Sequence, residues 1–169
     1  MPKIFSIYIN IVDNICDRVG RFVMYGVFFM MFLLILSFVT RNIINYPLMW
    51  IIEMAQFTIT AYYLLGGGYS MLNDDHVRMD LFYGKLSKKG KAKMDIFTSF
   101  FLIFFLSILF FGSITSLIYT IETKQKLFTA WAPYVWPIKS LMLLGILLML
   151  LQAFSTLFKD IANLKNKKI

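Results

Sequence analysis

Long apolar runs separated by short polar segments dominate the chain. Four of them, at residues 22–40, 54–72, 96–121 and 140–158, contain no Asp, Glu, Lys or Arg. An α-helix rises about 1.5 Å per residue, so about 20 such residues cross roughly 30 Å of hydrocarbon. Within hydrocarbon each backbone amide must be satisfied inside its own segment, and these runs lack the alternation of a membrane barrel. The pattern therefore predicts an all-α integral membrane protein with four transmembrane helices, forming a single membrane domain over residues 1–169. The third run, at 26 residues, would extend to about 39 Å and is expected to tilt or protrude.

Ahead of the first run, Ile4, Ile7, Tyr8, Ile11, Val12, Ile15, Val19 and Phe22 recur at three- and four-residue steps. Asn10, Asp13, Asn14, Asp17, Arg18 and Arg21 fall mostly elsewhere. That spacing predicts an amphipathic N-terminal helix over residues 1–21, lying in the inner membrane interface or extending the first span. Between the first two spans, Tyr46, Pro47 and Trp50 combine interfacial rings with a helix breaker, as a re-entrant or surface-lying elbow would. Residues 122–139 repeat this chemistry with Trp131, Pro133, Tyr134, Trp136 and Pro137.

Composition fits the same solvent: 59% of residues are hydrophobic and 15% charged, too little polar surface for a soluble domain of this length. The net charge of +8 is confined to the segments between apolar runs, where lipid headgroups account for it, so nucleic acid is not an expected partner. Segments 1–21, 73–95 and 159–169 carry 13 Lys and Arg residues, against 4 in 41–53 and 122–139. The positive-inside rule thus puts both termini and the central loop in the cytoplasm. The first run is too long for a signal-peptide core, and no small-x-small site follows it, so it should remain as an anchor.

Candidate chemistry is sparse. One cysteine, Cys16, and one histidine, His76, cannot form a disulfide, a thiolate cluster or paired haem ligation, so no cofactor and no metal are expected. Glu53 opens the second span, where the helix macrodipole favours a carboxylate in a capping or structural role. The densest polar cluster, Asn73-Asp74-Asp75-His76-Val77-Arg78-Met79-Asp80, lacks a second histidine and a nucleophile. It reads as a charge-locked turn, with Arg78 pairing a neighbouring aspartate, and not as an active site. Gly66, Gly67 and Gly68 permit close helix approach, and Gly66/Ser70 and Gly112/Ser116 match small-xxx-small spacing. Phe100 to Phe111 reads as a surface facing lipid or another subunit. With no Asp, Glu, Lys or Arg inside any span, the chain is not expected to form an ion or substrate pathway alone.

Trp50-Ile51-Ile52-Glu53, then Tyr63-Leu64-Leu65-Gly66-Gly67-Gly68-Tyr69, then Asp75-His76-Val77-Arg78-Met79-Asp80 together resemble the small membrane subunit of tripartite ATP-independent periplasmic (TRAP) transporters, the DctQ-like family. The His-x-Arg-x-Asp signature and the Trp-x-x-Glu element carry most of the resemblance, and Trp136-Pro137-Ile138-Lys139 is similar too. Many relatives place two adjacent acids after the tryptophan, whereas Ile52 precedes the single Glu53 here. The resemblance implies an accessory, non-enzymatic subunit in a bacterial inner membrane, packed on the scaffold of a large sodium-coupled permease. A periplasmic substrate-binding protein would deliver organic acids or similar solutes to that permease. Trp50 and Glu53 would position the outer elbow, Gly66, Gly67 and Gly68 would permit subunit contact, and Asp75, His76, Arg78 and Asp80 would fix the cytoplasmic turn. The rival reading is a self-sufficient homo-oligomeric transporter with Glu53 as its ionisable group.

Overall fold

The computed structural model describes residues 3–46, 48–73 and 88–164, and over them the apolar runs are helical. The helices are α1 (Lys3–Met24), α2 (Gly26–Asn42), α3 (Met49–Leu72), α4 (Lys88–Glu122) and α5 (Trp136–Leu164). No strand of more than an isolated bridge occurs among the described residues. Among the described residues three stretches, Phe5–Asn42, Met94–Glu122 and Trp136–Ala162, are long and apolar enough to cross a membrane. With 24 residues α3 has the length as well, but Gln56, Thr58, Thr60, Tyr62, Tyr63 and three glycines dilute its apolar character.

A single residue separates α1 from α2. Tyr25 keeps right-handed helical angles (φ −68, ψ −17), but its amide donates to Phe22 O, three residues back, so the ladder tightens for one step without ending. The close of α2 is chemically explicit. Arg41 sits in the last turn, where its charge opposes the negative end of the helix dipole. Asn45 takes a positive φ of 55, a conformation asparagine tolerates better than most residues, and the Tyr46 amide turns back to Thr40 O at 3.0 Å.

Helix direction follows from contact pairs. An added Cβ at Gly145 would lie 2.8 Å from Leu64 O, and one at Gly67 would lie 2.8 Å from Met149 Sδ. Numbers rise together on both helices, so α3 and α5 run parallel at close approach. Gly20 meets Tyr69 near the end of α3, while Gly26 and Met30 share a groove with Thr58 and Tyr62, so α2 runs antiparallel to α3. Leu102, Ile103 and Leu106 of α4 pack with Met149, Leu150 and Ala153 of α5, joined by Met71. At its start, α5 meets the end of α4 through Lys139 and Thr120, so these two are antiparallel. The last helix is thus the central one, covered by α1, α3 and α4.

That arrangement divides the N-terminal stripe. Of its members Val12 is buried, together with Ile9, Cys16 and Val23 from outside it, whereas Ile7, Ile11, Ile15 and Phe22 face outward. The boundary shifts because α1 has protein neighbours on one flank, α3 and α5, and turns toward them whichever residues they can pair, the half-buried Asp13 included.

Candidate functional site

Asp13 sits one turn before Cys16 on the inward face of α1, and α5 presents Gln152, Ser155 and Lys159 to it. These three recur at i, i+3 and i+7, one face of a helix. Gln152 Nε2 and Ser155 Oγ each donate to Asp13 Oδ1 at 3.1 Å, and Lys159 Nζ donates to Oδ2 at 2.7 Å. Gln152 and Ser155 are fully buried, while the Asp13–Lys159 pair keeps partial contact with the surroundings. Around this tie, Tyr8 OH donates to Leu151 O at 3.1 Å, and the Phe5 and Tyr8 rings meet Phe158 edge-on. Charge-assisted hydrogen bonds of this kind fix geometry strongly where water is thinned. All three donors converge on one carboxylate, so the cluster ties α1 to α5 as a clamp.

A second polar group closes the connection from α4 to α5. Lys139 Nζ donates to Thr120 Oγ1 at 2.5 Å, and that hydroxyl donates to Ser116 O at 2.7 Å, with Gln125 Oε1 3.2 Å away. Above it, Val135 N bonds Gln125 O and Leu127 N bonds Pro133 O, forming a small antiparallel turn with Lys126 opposite Tyr134. Lys126 Nζ lies 4.9 Å from the Tyr134 ring centre, a cation–π distance. Phe128 at the tip is fully exposed, and Trp131 and Trp136 are exposed beside it. The aromatic content expected of residues 122–139 is present, carried on an ordered turn with positive φ at Lys124 and Ala132.

The residues singled out from the sequence are dispersed. Trp50 lies in the first turn of α3 and is exposed. Glu53 does not cap that helix: α3 begins at Met49, Leu48 precedes it without a side-chain cap, and Glu53 lies a turn further in. It is only 5% exposed, and its Oε2 has no hydrogen-bond partner. Gly67 and Gly68 do admit close neighbours, but these belong to the same chain: Met149 over Gly67, Cys16 and Leu148 over Gly68. Gly66 faces open space. Asp75, His76, Arg78 and Asp80 lie outside the described residues, as does Pro47.

Asp13, Gln152, Ser155 and Lys159 are the residues that sequence reasoning missed. A signal was present, since Gln152 and Ser155 interrupt an otherwise apolar run at the spacing of one face that leads to Lys159. Among the described residues no group of three or more His, Cys, Asp or Glu side chains is placed to hold a metal ion.

Comparison with known proteins gives one family. The family model described as tripartite ATP-independent periplasmic transporters, DctQ component, matches residues 30–163, from within α2 to the end of α5 and including three of the four clamp residues. No curated protein matches the chain.

Proposed function

The chain belongs to the DctQ family, the small component of TRAP transporters, and from that premise we propose that it is the accessory subunit that packs on and steadies the scaffold of a large sodium-coupled permease. It crosses the bacterial inner membrane four times, with α3 as a span and both termini in the cytoplasm. A periplasmic binding protein supplies the large subunit with organic acids or similar solutes. The chain itself catalyses no reaction.

One observation carries this reading: the four apolar runs hold no Asp, Glu, Lys, Arg or His, and among the described residues the ion pairs Asp13–Lys159 and Asp17–Arg21 lie outside them. A pathway for ions or anionic solutes needs charged or coordinating groups at membrane depth. A bundle in which the Asp13–Lys159 pair ties one helix to another is suited to bearing load. A self-sufficient transporter draws its support from Glu53, whose buried Oε2 lacks a partner. Its position in the second turn of α3, near one end of the bundle, gives it no relay across the membrane.

The test is co-purification of the tagged chain with the large membrane subunit of the same transporter, followed by uptake in proteoliposomes with and without this chain. Sodium-driven uptake that needs both membrane chains and the binding protein is the expected result. Flux through this chain alone would overturn it and make Glu53 the first residue to replace.

A further inference from the structure

Among the charged side chains described on α1, all but one are matched. Lys159 holds Asp13 and Arg21 holds Asp17, while Arg18 is exposed and meets no carboxylate among the described residues. Its neighbours on the same face are apolar. Ile11 and Ile15 stand seven and three residues before it and Phe22 four after it, the spacing of one helix face. All three are exposed, Phe22 by 80%. Asn14, one turn before Arg18, is exposed as well and offers a carboxamide beside the guanidinium.

The depth of Arg18 follows from its flanks. Cys16 touches Gly68 and Gly20 meets Tyr69, so Arg18 lies level with the last turn of α3, which ends at Leu72, about 5 Å further along. At that depth an arginine stem lies along acyl chains while its guanidinium reaches the phosphate layer. Arg41, also exposed, is in a different position: it closes α2, whose negative end compensates it. At Arg18 the helix has six more residues to run and then passes into α2 with a single tightened step, so no helix end stands beside it. The outward faces of α2 between 28 and 38 and of α4 between 97 and 121 hold no charged residue.

The α1 face is therefore an apolar surface with one unmatched positive charge at headgroup depth, and a phospholipid complements both parts at once. Acyl chains cover Ile11, Ile15 and Phe22, and the phosphate accepts hydrogen bonds from Arg18. A carboxylate on a neighbouring protein helix would match the charge only after leaving water itself, whereas the lipid phosphate is already seated in that layer. We propose that the Ile11–Phe22 face of α1 binds a phospholipid of the leaflet in which α3 ends, with Arg18 holding its phosphate. Headgroups with net negative charge are preferred, because they bring no cation of their own to compete for the phosphate. The site requires only that the chain lies in a membrane and does not depend on the subunit with which it assembles.

The full chain, purified in a neutral detergent and depleted of lipid, is titrated with fluorescent phosphatidylglycerol, and unlabelled phosphatidylglycerol and phosphatidylcholine are the competitors. Phosphatidylglycerol competes better. Arg18→Gln weakens its binding about fivefold, Arg18→Lys retains most of it, and Arg41→Gln leaves it unchanged. In membranes holding the large subunit as well, a photo-cross-linking residue at position 22 attaches to lipid. This second measurement leaves Arg18 in place, so it decides even if Arg18→Gln unfolds the chain. Binding unchanged by Arg18→Gln, an equal loss with Arg41→Gln, equal competition by the two lipids, or a cross-link from position 22 to a protein chain would each overturn the proposal.

Discussion

Asp13 has two neutral donors and one ammonium group arranged around its carboxylate, so its replacement removes several interactions at once. Asp13→Ala leaves Lys159 unpaired and the buried Ser155 hydroxyl and Gln152 amide without their acceptor, which costs about 1–3 kcal/mol once the partial exposure of the pair is allowed for. A lower melting temperature in detergent is the expected outcome. The swap Asp13→Lys with Lys159→Asp restores part of the loss if the ion pair matters beyond the packing around it. Glycines sort by what stands opposite them. Gly145→Ala drives a methyl group against the Leu64 backbone at 2.8 Å and separates α3 from α5, whereas Gly66→Ala meets open space. Thermal unfolding of the two variants is therefore expected to differ, with Gly145→Ala destabilised by about 1–3 kcal/mol and Gly66→Ala unchanged. The triple glycine was visible in the sequence, but which of the three admits a neighbour depends on helix rotation, and that is set by partners distant in the chain.

At the scale of elements, the aromatic turn from Thr123 to Val135 and the last residues of α5 test the orientation. In spheroplasts, a cysteine at position 128 on a Cys16→Ser background is expected to react with an impermeant maleimide, and one at position 165 only after the membrane is opened. The reverse pattern would invert the proposed topology. Helix existence was legible throughout, because uninterrupted apolar runs leave a chain in hydrocarbon no other way to satisfy its backbone. Boundaries were less so. α3 starts at Met49, five residues before its apolar run, and α5 spans Trp136–Leu164 around a run of 140–158, since polar and aromatic residues continue a helix readily once it has left the hydrocarbon. The inward face of α1 was misjudged on the same level: hydrophobic spacing marks an apolar side, but Asp13 is drawn inward by donors on α5 that lie 139 to 146 residues away.

For the whole molecule, the central place of α5 predicts how the bundle fails. Removing residues 2–24 takes away α1 and leaves Gln152, Ser155 and Gly68 uncovered, so the truncated chain is expected to be cleared from the membrane or to lose the large subunit. An immunoblot of membrane fractions measures this. Undiminished assembly would mean that the clamp is dispensable to the scaffold.

Taken alone, the sequence determined the solvent, the helical class and the family, because each is written in contiguous residues: apolar run length, charge between runs, and the Trp-x-x-Glu, glycine and His-x-Arg-x-Asp elements. Only the tertiary structure decided that α3 and α5 run parallel in close contact, that α1 is clamped to α5 through Asp13, and that Glu53 is buried with an unpartnered oxygen. Each of these depends on which helix faces which, and in a bundle of near-uniform apolar helices that choice rests on a few small residues and a few hydrogen bonds between positions far apart in the chain.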